Sequence, residues 1–339
     1  MFIAAAVLVV GGCAKSASTG KNDSAKKFLD SWVAIYHPEA KSTALGAWIL
    51  EEEPGTGEIV GSYESAPFVY VDYTTRTLDG EIQATTYAKT AQQLGTYDAT
   101  YYYGPKLWER TDGYLAAGLD ETISGMREGG RVKIILPGWL SSSERYDTVQ
   151  EYLDNVSGTN MIYDITVRER IEDIEKWELD SLVSFVGRNF PTVNVADTVD
   201  HETNSYGFYY IRTKKTDLPD STYTADTQVY LNYTGKLLNG TVFDTTLEKT
   251  AKDNGLYSSS NTYEPTYVTW ADDYTDITLG SSASSTIDGF AHAISLMQPH
   301  EEGIAIFLSA QGYQESGSGN AIPEYSPLIF ELQLVDKED

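Results

Sequence analysis

Residues Val229–Thr246 read VYLNYTGKLLNGTVFDTT, and residues 69–86 read VYVDYTTRTLDGEIQATT. Aligned on their turn glycines, Gly80 and Gly240, the two stretches lie 160 positions apart. In that register Val69, Val71 and Tyr73 meet Val229, Leu231 and Tyr233. These residues alternate, so each triplet lines one face of a strand. Leu78-Asp79-Gly80 meets Leu238-Asn239-Gly240, a hairpin turn in both. Lys89-Thr90-Ala91 meets Lys249-Thr250-Ala251. So many matches in one register indicate an internal duplication. One difference stands out. The second copy carries Phe243-Asp244, and the first has Gln83-Ala84.

Beyond these strands the register slips. GLDETISGM in the first copy resembles GFAHAISLM in the second, pairing Leu119, Ile123 and Met126 with Phe290, Ile294 and Met297. The spacing i, i+4, i+7 puts each trio on one face of a short helix. The second copy has gained about eleven residues in the segment between. Each copy closes on an alternating strand, Met161 to Val167 and Leu328 to Leu334. Each also opens on a helical pattern and a lone strand, Ala25 to Tyr36 with GAWILEE, and Ile171 to Val186 with GFYYIRT. Strands gathered around one short helix predict an α+β fold of two domains. Each is a twisted antiparallel sheet wrapped on a short helix, preceded by an N-terminal helix and strand. The expected division is 1–12, a signal peptide; 13–24, a lipidated linker; 25–170, a degenerate first domain; 171–204, a helix and linker; and 205–339, the second domain.

The formal charge of −26, from 24 basic and 50 acidic residues, argues against nucleic acid and against adsorption to anionic lipid. Cys13 is the only cysteine, so no intrachain disulfide framework exists. The four histidines (His37, His201, His292, His300) lack metal-ligand spacing, and no metal or cofactor is expected. The start MFIAAAVLVVGGC is too short to span a bilayer. It resembles a bacterial lipoprotein signal with Val10-Gly11-Gly12-Cys13 as its lipobox. That resemblance implies lipidation at Cys13 and a chain held in the cell envelope by its lipid alone, at the outer membrane, facing the periplasm or the cell surface.

In the second copy, Tyr233, Phe243, Asp244, Ile287, Phe290, Tyr313, Ile322 and Phe330 form an aromatic and aliphatic set with one carboxylate and no nucleophile–base pair. The motifs NYTGKLLNG, VFDTT, IDGFAHAISLM, Tyr313 and AIPEYSPLIFELQLVD occur there in order. This ordered set resembles the FK506-binding-protein (FKBP) class of peptidyl-prolyl cis-trans isomerases over most of 228–336, and far more weakly over 69–170. The resemblance implies that Phe290 is the floor of a prolyl pocket. Tyr233, Phe243 and Phe330 would be its walls, and Ile322 would close one side. Ile287 would add a wall and a backbone N–H for a substrate carbonyl, Tyr313 would offer a hydroxyl, and Asp244 would stand at the rim. Gln314 departs from the family, which usually has glycine there. The first copy lacks Phe-Asp, has Leu119 as floor, and aligns no tyrosine with Tyr313, so it is expected to keep the fold and lose the site. The implied function is isomerisation of proline-containing peptides or unfolded exported proteins. The alternative is a non-catalytic peptide- or protein-binding lipoprotein, for which the Tyr-rich segment 256–276 offers contact surface. A third reading, a glycan-binding surface lipoprotein, rests only on exposed aromatics.

Overall fold

The computed structural model describes residues 20–111, 113–192, 207–216, 223–281 and 286–336. Cys13, the apolar run before it and residues 193–204 of the expected linker lie outside them. In chain order the first unit contains α1 (Asp23–Tyr36), β1 (Lys41–Ser42), β2 (Trp48–Glu53), β3 (Phe68–Thr77), β4 (Ile82–Thr85), α2 (Ala88–Leu94), β5 (Lys106–Glu109), α3 (Ala117–Ser124), β6 (Arg131–Leu136), α4 (Val149–Asn155) and β7 (Met161–Ile171). The second contains α5 (Ile174–Asn189), β8 (Phe208–Lys214), β9 (Gln228–Leu237), β10 (Val242–Thr245), α6 (Glu248–Asp253), β11 (Thr266–Thr269), β12 (Thr278–Leu279), α7 (Asp288–Ser295), β13 (Glu302–Phe307) and β14 (Leu328–Val335). None of the described helices is long and apolar enough to cross a membrane.

Each unit forms a seven-stranded antiparallel sheet, and six strands of the two share one topology, β1 and β12 being added at different edges. The orders are β1-β2-β6-β7-β3-β4 with β5 beside β4 on β3, and β12-β11-β9-β14-β13-β8 with β10 on β9. The α+β fold therefore stands as read. The register repeats too: Tyr73 pairs with Ile165 and Thr75 with Tyr163, while Tyr233 pairs with Leu332 and Gly235 with Phe330. The Thr-Thr pair after each hairpin has a structural role. Thr86 and Thr246 accept from the N–H of Tyr73 and Tyr233 at 3.0 and 2.9 Å. Thr85 and Thr245 share cross-strand bonds of 2.9 Å with Thr74 and Thr234.

Three findings differ from the sequence reading or add to it. First, the Tyr-rich segment 256–276 is not simply a loop. It contains β11, which pairs with β9, and its counterpart β5 sits on β3 at the same offset of 160. The rings of Tyr97 and Tyr103 stack at 5.1 Å, and those of Tyr257 and Tyr263 repeat the stack at 5.4 Å. The Tyr103 and Tyr263 hydroxyls accept from the N–H of Asp98 and Ser258. These four tyrosines organise their own turns. The extra residues lie farther on, in 270–287 against 110–116.

Second, the helix expected at Ile171 begins at Ile174. Ile171 is the buried last residue of β7, and Asp173 caps the helix by accepting from the Lys176 N–H at 3.0 Å. Third, this helix is more than a connector. Its Leu182 and Val186 are buried against Tyr209, Ile306, Leu308 and Ile329, on the face of the second sheet opposite α7. Both faces of that sheet are thus covered, which explains why β8 and β13 read FYYI and GIAIF rather than alternating with polar residues. Buried Glu178 ties the helix down by accepting from the N–H and hydroxyl of Ser309. Burial raises its carboxyl above the ordinary carboxylate range, against the pull of those two bonds.

Candidate functional site

The site forms where β9, β10, β14, α7 and the segment after β13 meet on the face of the second sheet that packs against α7. Phe290 and Phe330 are buried, and their rings meet edge-on at 5.0 Å. Tyr233 sets its ring edge against Phe290 at 5.5 Å and lies 6.1 Å from Phe330. Phe243 sits at a bulge, where the β9–β10 register shifts between Val242 and Asp244. Such a bulge re-aims one side chain, and here it turns Phe243 against Phe330 at 5.7 Å. The turned ring needs a bare strand beneath it. A Cβ on Gly235 would stand 2.5 Å from Phe243 and 3.2 Å from Phe330.

Polar atoms stand around this aromatic box. The Tyr233 hydroxyl donates to Asp244 Oδ2 at 2.6 Å, and Asp244 Oδ1 accepts from the Thr245 N–H at 2.9 Å. The Asp244 carboxylate itself is solvent-exposed. Burial raises the Tyr233 hydroxyl well above the ordinary tyrosine range, and the Asp244 charge adds to it. Tyr313, packed half-buried against the same core, is raised by the same two causes in the same order. Both tyrosines therefore remain protonated donors at any physiological pH. Ile287 is the N-cap residue of α7 and packs, half-buried, against the same core as Phe290. Ile322 is buried and exchanges two backbone bonds with Ser318, at 3.1 and 2.8 Å. All eight candidates thus belong to one neighbourhood.

Gln314, the departure from glycine, has a φ of +54°, so the chain keeps the left-handed turn with a residue that adopts it at a cost. Three contributors went unnoticed in the sequence. Gly235 is one, signalled only by a glycine inside a strand pattern. Phe307 is the second: it is fully buried and stacks on Phe330 at 5.8 Å. The third is the first unit itself. Its Tyr102 donates its N–H to the Asn320 carbonyl at 2.7 Å and packs against the second core. Phe68 meets Tyr325 edge-on at 5.5 Å. The turn Gly317–Pro327, which carries Ile322, is therefore held by the other unit. Within it Gly317, at φ +60°, has no room for a Cβ, which would lie 2.3 Å from the Ile322 carbonyl.

The first unit differs at this position as the sequence implies in part only. Gln83 and Ala84 occupy the bulge, and Leu119 is the buried floor. A helix, α4, replaces the turn that carries Ile322, and Thr148 and Glu151 close its start as a capping box. A cleft of about 470 Å³ nevertheless persists.

The profile of the FKBP-type peptidyl-prolyl cis-trans isomerase family matches residues 220–335. Peptidyl-prolyl cis-trans isomerase FKBP10 of Bos taurus is 26% identical over 274 residues, covering 80% of this chain and 34% of that protein. The macrophage infectivity potentiator of Trypanosoma cruzi is 27% identical over 114 residues, covering 34% of this chain and 45% of its own. This chain thus spans less than half the length of either relative. The crystal structure of the three FKBP domains of wheat FKBP73 is 15% identical and covers 87% of this chain and 98% of its own, with a TM-score of 0.29. That score is too low to support any further comparison. An alignment reaching 80% of the chain cannot be confined to the second unit, so it agrees with the shared topology of the two sheets. Residues 220–335 thus form an FKBP-type peptidyl-prolyl cis-trans isomerase domain.

Proposed function

We propose that this protein catalyses cis–trans isomerisation of X-Pro bonds through its second unit, and that it assists the folding of proline-containing segments of exported proteins. The observation that carries this is the aromatic box itself: Tyr233, Phe243 and Phe290 each in ring contact with Phe330, beside one carboxylate. Rotation about X-Pro has a barrier of roughly 18–20 kcal/mol and takes tens of seconds unaided. No bond breaks, so no acid, base or nucleophile is required. At the twisted transition state amide resonance is lost and the carbonyl becomes less polar. An apolar site shaped for that form favours it over the planar ground state. The Tyr313 hydroxyl and the Ile287 N–H hold substrate carbonyls. Asp244 orients Tyr233 through their 2.6 Å bond.

This reading sets the size of mutational effects. Tyr313→Phe and Asp244→Ala each remove polar atoms and little packing, so the variants fold. The substrate hydrogen bond lost in Tyr313→Phe, or the bond to Tyr233 lost in Asp244→Ala, is worth about 1 kcal/mol, a several-fold fall in kcat/KM for a chromogenic X-Pro peptide. A fall of about a thousand-fold in Asp244→Ala would assign that carboxylate acid–base work and overturn the mechanism. An inactive wild type would leave the non-catalytic peptide-binding reading in its place.

We further propose that Cys13 carries the lipid that holds the chain in the cell envelope. The apolar run ending at Val10-Gly11-Gly12-Cys13 supports this. Cys13→Ser is expected to move the protein from the membrane fraction to the soluble one. A variant that stays with the membrane would refute the anchor.

A further inference from the structure

The cleft of the first unit occupies the position of the box in the second. Tyr73 stands for Tyr233, Leu119 for Phe290, Tyr163 for Phe330 and Ala84 for Asp244, and all four line the cleft. The ancestral cavity has thus been kept while its chemistry has changed. Its aromatic lining is extended by Trp108, 5.0 Å from Tyr73, where β11 has Val268. The carboxylate has also moved. None stands beside Tyr73, because Ala84 replaces Asp244. Instead Glu109 lines the cleft where β11 has Thr269, and Glu324 reaches it from the Gly317–Pro327 turn of the second unit.

The charge balance points to one class of occupant. Two carboxylates share this lining with aromatic rings, and no basic side chain is part of it. Glu109 already accepts from the Thr111 hydroxyl. Burial, and next the charge of Glu109, raise the Glu324 carboxyl above the ordinary range, and Lys106 nearby offsets this in part. A cation in the cleft would relieve that repulsion. It would also lie among the rings of Tyr73, Trp108 and Tyr163 that line the cleft, and a ring quadrupole attracts a cation placed over its face. A guanidinium suits the place best, because it is planar, weakly hydrated and able to bond a carboxylate with two N–H groups.

We infer that the first unit is a second peptide site, selective for a segment bearing an arginine or lysine side chain and indifferent to proline.

The test uses the full chain and two proline-free peptides, acetyl-Ala-Arg-Ala-Ala-amide and acetyl-Ala-Leu-Ala-Ala-amide, titrated by calorimetry. Without proline, the outcome does not depend on whether the second unit is an isomerase. The arginine peptide is expected to bind at least about tenfold more tightly than the leucine peptide. Glu109→Gln with Glu324→Gln should abolish that preference. Glu52→Gln with Glu81→Gln, two exposed carboxylates outside the cleft lining, makes the same change in net charge. That pair should preserve the preference. Equal affinity for the two peptides, binding of neither, or an equal loss in both double variants would overturn the proposal.

Discussion

Phe330→Ala should destabilise the second unit by about 3–5 kcal/mol, the range for truncating a fully buried phenylalanine. Four rings meet this one: Phe290 at 5.0 Å, Phe243 at 5.7 Å, Phe307 at 5.8 Å and Tyr233 at 6.1 Å. Its loss would leave a cavity that its neighbours cannot close, because they belong to four different elements. Tyr233 is on β9, Phe243 on β10, Phe290 on α7 and Phe307 on β13. Urea unfolding followed by circular dichroism reads the loss directly. Isomerase activity should fall with it, but a partly unfolded enzyme would look the same. Phe330→Leu separates the two effects. It conserves most of the volume, costs less than about 1.5 kcal/mol, and still removes the aromatic wall. A folded Phe330→Leu protein with reduced kcat/KM would place the ring in the site as well as in the core. Full stability in Phe330→Ala would show that the cluster is not a packing hub.

A loss of similar size is expected in the first unit from Arg110→Leu. Arg110 is fully buried and uses its whole fork. Its Nε donates to Asp120 at 2.8 Å, Nη1 to the Ala66 carbonyl at 2.9 Å, and Nη2 to the Gly61 carbonyl at 2.9 Å and the Ser124 hydroxyl at 2.7 Å. Leucine would leave Asp120 with only Arg145, 3.7 Å away, and two carbonyls without their donors. Breaking a buried pair from one side costs about 3–5 kcal/mol, because the remaining charge is uncompensated. Arg110→Lys should recover only part of this, since an ammonium keeps the charge and loses the fork. The transition that shifts in Arg110→Leu should be the one Phe330→Ala leaves least affected. Near-wild-type stability in Arg110→Leu would refute the lock.

Arg110 also shows what the sequence conceals. Its partners Gly61 and Ala66 lie 49 and 44 positions away. Such contacts leave no periodic mark, and at the repeat offset the second unit has Trp270 in its place. What was legible had local rhythm: the alternating strands, the Asn-Gly turn, the i, i+4, i+7 helices and the ordered aromatic set. The duplication made them firmer, because each pattern occurs twice. The short strands β5 and β11 were hidden. Four residues reading KLWE or TYVT inside tyrosine-rich segments carry too little alternation to stand out. The helix α5 was visible, but its partner face was not, since amphipathicity identifies a buried face without naming what buries it.

The contact between the units bears on the entropy of substrate capture. A turn that closes a site usually loses its freedom when ligand arrives, at roughly 1–2 kcal/mol for each backbone residue fixed. In this protein Tyr102 bonds Asn320, and Phe68 packs on Tyr325, while the turn between them already carries Ile322 into the core that holds Phe290 and Phe330. That freedom is surrendered on folding, before any peptide is present, and the binding step is spared it. The first unit thus acts as an intramolecular splint. If the second unit isomerises X-Pro bonds as proposed, the first unit's part would be to keep the neighbouring site preorganised, a service that its own cleft need not perform any chemistry to provide.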